Sequence, residues 1–106
     1  MKNYRIEDFT KGWILGDFEP VIVKSKDFEM GMKFFGPGDT EPAHFQVIAT
    51  EITLVASGEV TINGSKFSSG DVIVIEPGEV ANFRSETESK LFCIKFPSLP
   101  NDKKLK

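Results

Sequence analysis

Between Phe28 and Phe34 the chain alternates: Phe28, Met30, Met32 and Phe34 are apolar, and Glu29, Gly31 and Lys33 separate them. A period of two is that of a half-buried strand, whereas a helix would scatter those side chains around its surface. Shorter runs follow from Ile52 to Ala56, Val60 to Ile62 and Val72 to Ile75, then Ala81 and Phe83 alternate with Val80, Asn82 and Arg84. Phe92, Ile94 and Phe96 alternate with Leu91, Cys93 and Lys95, and the phenylalanine-bearing positions predict the inward face. Turn signals punctuate these runs: Gly36-Pro37-Gly38-Asp39, Ser57-Gly58, the hairpin pair Asn63-Gly64, and Pro77-Gly78. The rhythm predicts an all-β fold. Val72 to Ile75 is apolar at every position, so that strand needs cover on both faces, and a homodimer is expected.

The ends differ from the middle. Pro97-Ser98-Leu99-Pro100 and the polar run after it predict a tail over 98–106 outside the strands, and residues 1–19 an N-terminal arm, around a barrel core of about 20–97. Glu86, Thr87 and Glu88, with Ser85 and Ser89, read as a solvated loop.

At 106 residues and 40% hydrophobic content the chain can build one core, so a single domain is expected. A net charge of -3 gives no field that would recruit nucleic acid or anionic lipid. Neither an apolar leader nor a run long enough to span a bilayer is present, which predicts a cytoplasmic protein without membrane contact. Cys93 is the one cysteine, which rules out an internal disulfide and a cysteine-built zinc site; its strand context predicts a small packing residue. Trp13 and most of the ten phenylalanines are expected in the core or an interface.

Gly38, His44, Gln46, Glu51 and Gly58 fall at the spacings of the first motif of the cupins, with glutamine in place of the second histidine. The stretch from Gly70 to Gly78 resembles the second motif, and Ala81 stands where that motif places a histidine. The chain thus resembles small bacterial cupins of one domain. The resemblance implies a double-stranded β-helix, or jelly-roll, barrel whose interior takes one small ligand. It also implies that His44, Gln46 and Glu51 converge inside, with Phe34, Thr53, Ala81 and Phe83 completing the pocket wall.

Metal-binding cupins use three imidazoles and one carboxylate, a donor set that suits transition metals. Here His44, Gln46 and Glu51 would be the metal ligands of a degenerate site, leaving at most a weakly held divalent cation and no firm cofactor. The expected function is therefore binding of a small polar ligand without turnover. The alternative is an enzyme, isomerase- or oxygenase-like, with His44 as base and Glu51 orienting it. Ala43-His44-Phe45-Gln46 also resembles a stretch of metal-free sugar-nucleotide epimerases, which are cupins as well. Those enzymes need a tyrosine, and the one tyrosine, Tyr4, lies outside every expected strand.

Overall fold

The computed structural model describes all residues, Met1–Lys106. Two short 3-10 turns, Ile6–Asp8 and Thr10–Gly12, precede the strands β1 (Trp13–Gly16), β2 (Val23–Lys24), β3 (Glu29–Phe35), β4 (Thr40–Gln46), β5 (Thr50–Ser57) and β6 (Glu59–Ile62). They continue as β7 (Ser65–Ser68), β8 (Val72–Ile75), β9 (Ala81–Ser85), β10 (Ser89–Phe96) and β11 (Lys103–Leu105). One sheet has the order β2-β1-β3-β10-β5-β8 and the other β11-β4-β9-β6-β7. Every pairing is antiparallel except β1 with β2. The all-β, jelly-roll expectation holds.

Local chemistry explains the corners. Asn63 and Gly64 take φ values of 52° and 82°, the left-handed conformation that a two-residue hairpin needs to match strand twist. The Asn63 side chain then ties the turn to β9: its Nδ2 donates to the Val80 carbonyl at 2.8 Å, and the Asn82 N–H donates to its Oδ1 at 2.8 Å. Gly58, at φ 86°, leaves no room for a Cβ, which would strike the backbone oxygen of Glu88 in the β9–β10 hairpin. That hairpin is not simply solvated: Ser85 and Ser89 are buried, and their hydroxyls bond each other at 2.7 Å.

The core gathers Val55, Val60, Ile62, Ala81, Phe83, Leu91 and Cys93, with Trp13, Phe35, Phe67, Ile73 and Ile75 packed against it. Several expectations are corrected by this arrangement. On β3 the inward positions are Gly31, Lys33 and Phe35, and Phe34 is 53% exposed on the outer face. On β10 Leu91, Cys93 and Lys95 turn inward, while Phe92, Ile94 and Phe96 turn out. The period was right and the parity inverted. Gly31 shows why: the Trp13 ring lies across it, and a Cβ there would meet that ring at 2.8 Å. The inner face of β3 therefore looks weak in the sequence because β1 supplies its filling.

The ends also differ from expectation, since both contribute strands: β1 from the expected arm and β11 from the expected tail. Lys103, Lys104 and Leu105 pair with Gln46, Phe45 and His44. Asp102 is 8% exposed and pins this return, its carboxylate accepting N–H bonds from Ile48 and Ala49 at 2.9 Å each. A buried carboxylate that satisfies backbone donors needs no strand propensity around it, which is why polar composition misled.

Candidate functional site

β4 carries a register shift against β9: Glu41 pairs with Phe83 and His44 with Ala81, so Pro42 and Ala43 on one strand oppose Asn82 alone on the other. Pro42 sits inside that step. Proline cannot donate to a ladder and within sheets gathers at edges and bulges, and the bulge puts Glu41 and His44 on the same inward side despite their odd separation. His44 is 7% exposed, and its Nδ1 lies 2.9 Å from the Pro42 carbonyl. A carbonyl only accepts, so Nδ1 is the donor and Nε2 is left as the ring's acceptor.

His44, Glu41, Glu51, Thr53, Ala81 and Phe83 line one cavity, together with Lys33, Cys93, Lys95 and Lys103. Its volume is about 40 Å³, enough for two or three waters. Two ion pairs cross its wall: Lys33 Nζ to Glu41 Oε2 at 3.6 Å, and Lys95 Nζ to Glu51 Oε1 at 3.9 Å. The side chains of the second pair are 13% and 14% exposed. Both ammoniums also face the Trp13 ring, 5.4 and 5.0 Å from its centroid, within the range of cation–π attraction. Thr53 Oγ1 donates to Glu51 Oε2 at 3.4 Å.

The expected site is thus split. His44, Glu51, Thr53, Ala81 and Phe83 come together; Phe34 is on the outside; Gln46, 4% exposed, lines a neighbouring cavity of about 310 Å³ with Glu29, Lys95, Asn101, Asp102 and Lys103. Lys95 and Lys103 belong to both walls. Burial raises the Glu29 carboxyl above its ordinary value, with Glu51 and Asp102 adding and Lys95 and a Ser98 hydrogen bond opposing. Burial lowers the Lys103 ammonium, Glu41 and Glu51 oppose, and Lys33 and Lys95 add.

Glu41, Lys33, Lys95 and Lys103 were not foreseen. Pro42 was the available signal for Glu41, because a proline two residues before His44 marks the bulge that changes parity. For the lysines no local signal exists.

The donor set does not fit a transition metal. His44 and Glu51 have Lys33, Lys95 and Lys103 as companions where further imidazoles would be needed, and no group of three or more His, Cys, Asp or Glu side chains is arranged to hold a metal ion. Ammonium groups repel a divalent cation, and Lys33 and Lys95 are already paired with Glu41 and Glu51, the carboxylates it would use.

Cys93 lies deep in this wall, and burial, followed by the charge of Glu51, pushes its thiol up to about 11. Nucleophilic attack requires the thiolate. Iodoacetamide should therefore label the native protein at pH 8 on the order of 100-fold more slowly than the denatured chain; comparable rates would show that the wall opens readily.

No protein-family model and no curated protein sequence matches the chain. Solved structures do. An uncharacterized conserved protein with a double-stranded β-helix domain from Klebsiella pneumoniae superposes with a TM-score of 0.73 at 16% identity, covering 98% of this chain and 90% of that one. The bacterial pirin YhhW from Escherichia coli, in complex with nickel(II), gives 0.69 at 18% identity over 83% of this chain and 39% of the pirin. The DMSP lyase DddQ from Ruegeria pomeroyi gives 0.69 at 19% identity over 92% and 53%. The chain thus spans most of the first protein and about half or less of the other two. With two sheets closed around a polar-ended core and these likenesses in architecture, the chain is a small protein with the cupin, double-stranded β-helix fold.

Proposed function

We propose that this cupin-fold chain binds a small polar ligand inside its barrel, with no metal taking part. The supporting observation is the polar end of the interior, where the small cavity lined by Lys33, Glu41, His44 and Glu51 adjoins one of about 310 Å³ through the shared walls of Lys95 and Lys103. Buried ion pairs are no better for stability than well-packed apolar side chains of the same volume. A barrel interior whose wall keeps two partly buried ion pairs, beside a histidine with a committed donor and a free acceptor, is arranged for recognition. The fold itself hosts enzymes and binders alike and does not choose between them.

Thermal unfolding against a panel of sugars, polyols, small acids and amines at millimolar concentration tests this reading. At a hundred times its Kd a ligand should add about 2.7 kcal/mol, and His44→Ala should shrink that gain without removing the fold. A panel in which nothing raises the transition temperature, or a gain that His44→Ala leaves intact, would sink it.

The working unit in this reading is a pair of copies. Register puts Ile52, Leu54, Val72, Val74, Phe92, Ile94, Met30 and Met32 on the outer face of β3, β10, β5 and β8, and Val72 and Val74 are 61% and 51% exposed. A second copy is the occupant that fits, because an apolar, nearly charge-free sheet face is complementary to itself across a two-fold axis. Four strands at about 4.8 Å spacing and roughly 23 Å long give a footprint near 400 Å², so two copies bury on the order of 1,000 Å² once side-chain relief is counted, the lower end of stable interfaces.

A further inference from the structure

Gln46 Nε2 is sealed from solvent and is the one buried side-chain nitrogen or oxygen without a hydrogen-bond partner. An orphaned buried donor costs stability unless something outside the chain accepts from it. The Gln46 side chain lines the 310 Å³ cavity between the inner wall and the returning tail, and with its Nε2 uncommitted its amide is free to turn about its last torsion toward that space.

The other groups around this cavity share the same surplus of donors. Lys103 makes no ion pair, and the nearest partner of Lys95 is Glu51 at 3.9 Å, the longest ion pair of the molecule. The acceptors, by contrast, are occupied. Asp102 takes the N–H groups of Ile48 and Ala49, and Glu29 accepts from the Ser98 hydroxyl at 3.3 Å. Around this cavity Lys95 and Lys103 stand beside Glu29 and Asp102; Lys95 turns to Glu51, the two acidic groups hold their own hydrogen-bond donors, and Lys103 is the ammonium left without a partner.

We propose that this cavity binds a small, hydroxylated organic monocarboxylate, whose carboxylate lies against the Lys103 and Lys95 ammoniums and the Gln46 amide. The inference rests on the binding reading above and names its ligand class. One carboxylate matches the one unpaired ammonium, Lys103, and charge-assisted bonds from ammonium to carboxylate are the strong ones. A multiply charged anion would meet Glu29 and Asp102 across the same space. The wall is mostly polar, which suits hydroxyl groups on the body of the ligand, and its volume lies at the small end of ligand sites. Entry is from the tail side, where Asn101 and Lys103 are exposed.

Gln46 is the only glutamine and Trp13 the only tryptophan; the Gln46 side-chain amide signal of the ¹⁵N-labelled chain, identified by its loss in Gln46→Leu, reports on the site directly, and the indole signal reports through Lys95, whose Nζ lies 5.0 Å from the Trp13 ring centroid. Gluconate and sorbitol differ in the carboxylate and share the hydroxylated body. Gluconate should shift both signals saturably, and sorbitol should bind at least tenfold more weakly. Gln46→Leu and Lys103→Met should each weaken gluconate about tenfold or more; Lys103 is on an exposed terminal strand, so its variant serves if Gln46→Leu fails to fold. Sorbitol binding as tightly as gluconate at these signals would overturn the carboxylate assignment and keep the polar-ligand reading. Saturable gluconate binding unchanged in Lys103→Met would overturn the site. Absence of saturation by gluconate would overturn the proposal, while the thermal panel judges the broader reading separately.

Discussion

Lys95→Met is expected to lower stability by about 3 kcal/mol, and Lys95→Met combined with Glu51→Leu to recover most of that loss. The pair is 3.9 Å apart and almost closed off from water. Removing the ammonium strands the Glu51 carboxylate beside Ile75, to which it is registered on β8, and near Cys93. Desolvation then has no compensation, and one bond from Thr53 cannot replace it. Replacing both partners removes both desolvation costs and adds apolar contact beneath Trp13. For a chain of this size each kcal/mol shifts the midpoint by about 4–8 °C, so the single variant should melt at least 12 °C lower and the double variant within a few degrees of the parent. Urea titration of the three variants measures the coupling directly. A single-variant loss under 1 kcal/mol would mean that water reaches the pair freely.

Val74→Lys is expected to separate the proposed pair of copies while leaving the fold intact. Val74 is 51% exposed on the outer face of the edge strand β8, so a lysine there costs an isolated copy little. Across a two-fold axis the substitution appears twice, and burying an unpaired ammonium costs several kcal/mol. Dissociation should therefore strengthen by two orders of magnitude or more. Analytical ultracentrifugation at micromolar concentration should give twice 11.8 kDa for the parent chain and 11.8 kDa for the variant. A parent chain that sediments as one copy would remove the pair, and so would a variant that still pairs.

Much of the fold was legible because it is local chemistry. Asn63-Gly64, Gly58 and Pro77-Gly78 mark where the chain turns, and the alternations on either side mark strands. The motif spacing also led to His44 and Glu51, which share a cavity in the structure. Gln46 sits on the same strand face as His44, yet its side chain serves the next cavity along the strand, a separation that spacing along one strand does not reveal. Pro42 is the local mark of the bulge, and a bulge converts an odd separation into a shared face.

By itself the sequence determined the elements: where strands run, where they turn, and that each strand has two unlike faces, since backbone conformation and side-chain period depend on neighbours a few residues away. Which face looks inward was decided only in the tertiary structure. The inside of β3 and β10 is defined by contact with the opposite sheet and with the Trp13 ring, and the polar end, with Lys33, Lys95 and Lys103 drawn beside Glu41 and Glu51, exists because strands distant in the chain close around it. Apolar content is a poor guide to the inside when a barrel holds charged groups within and lays an apolar sheet face against its surroundings.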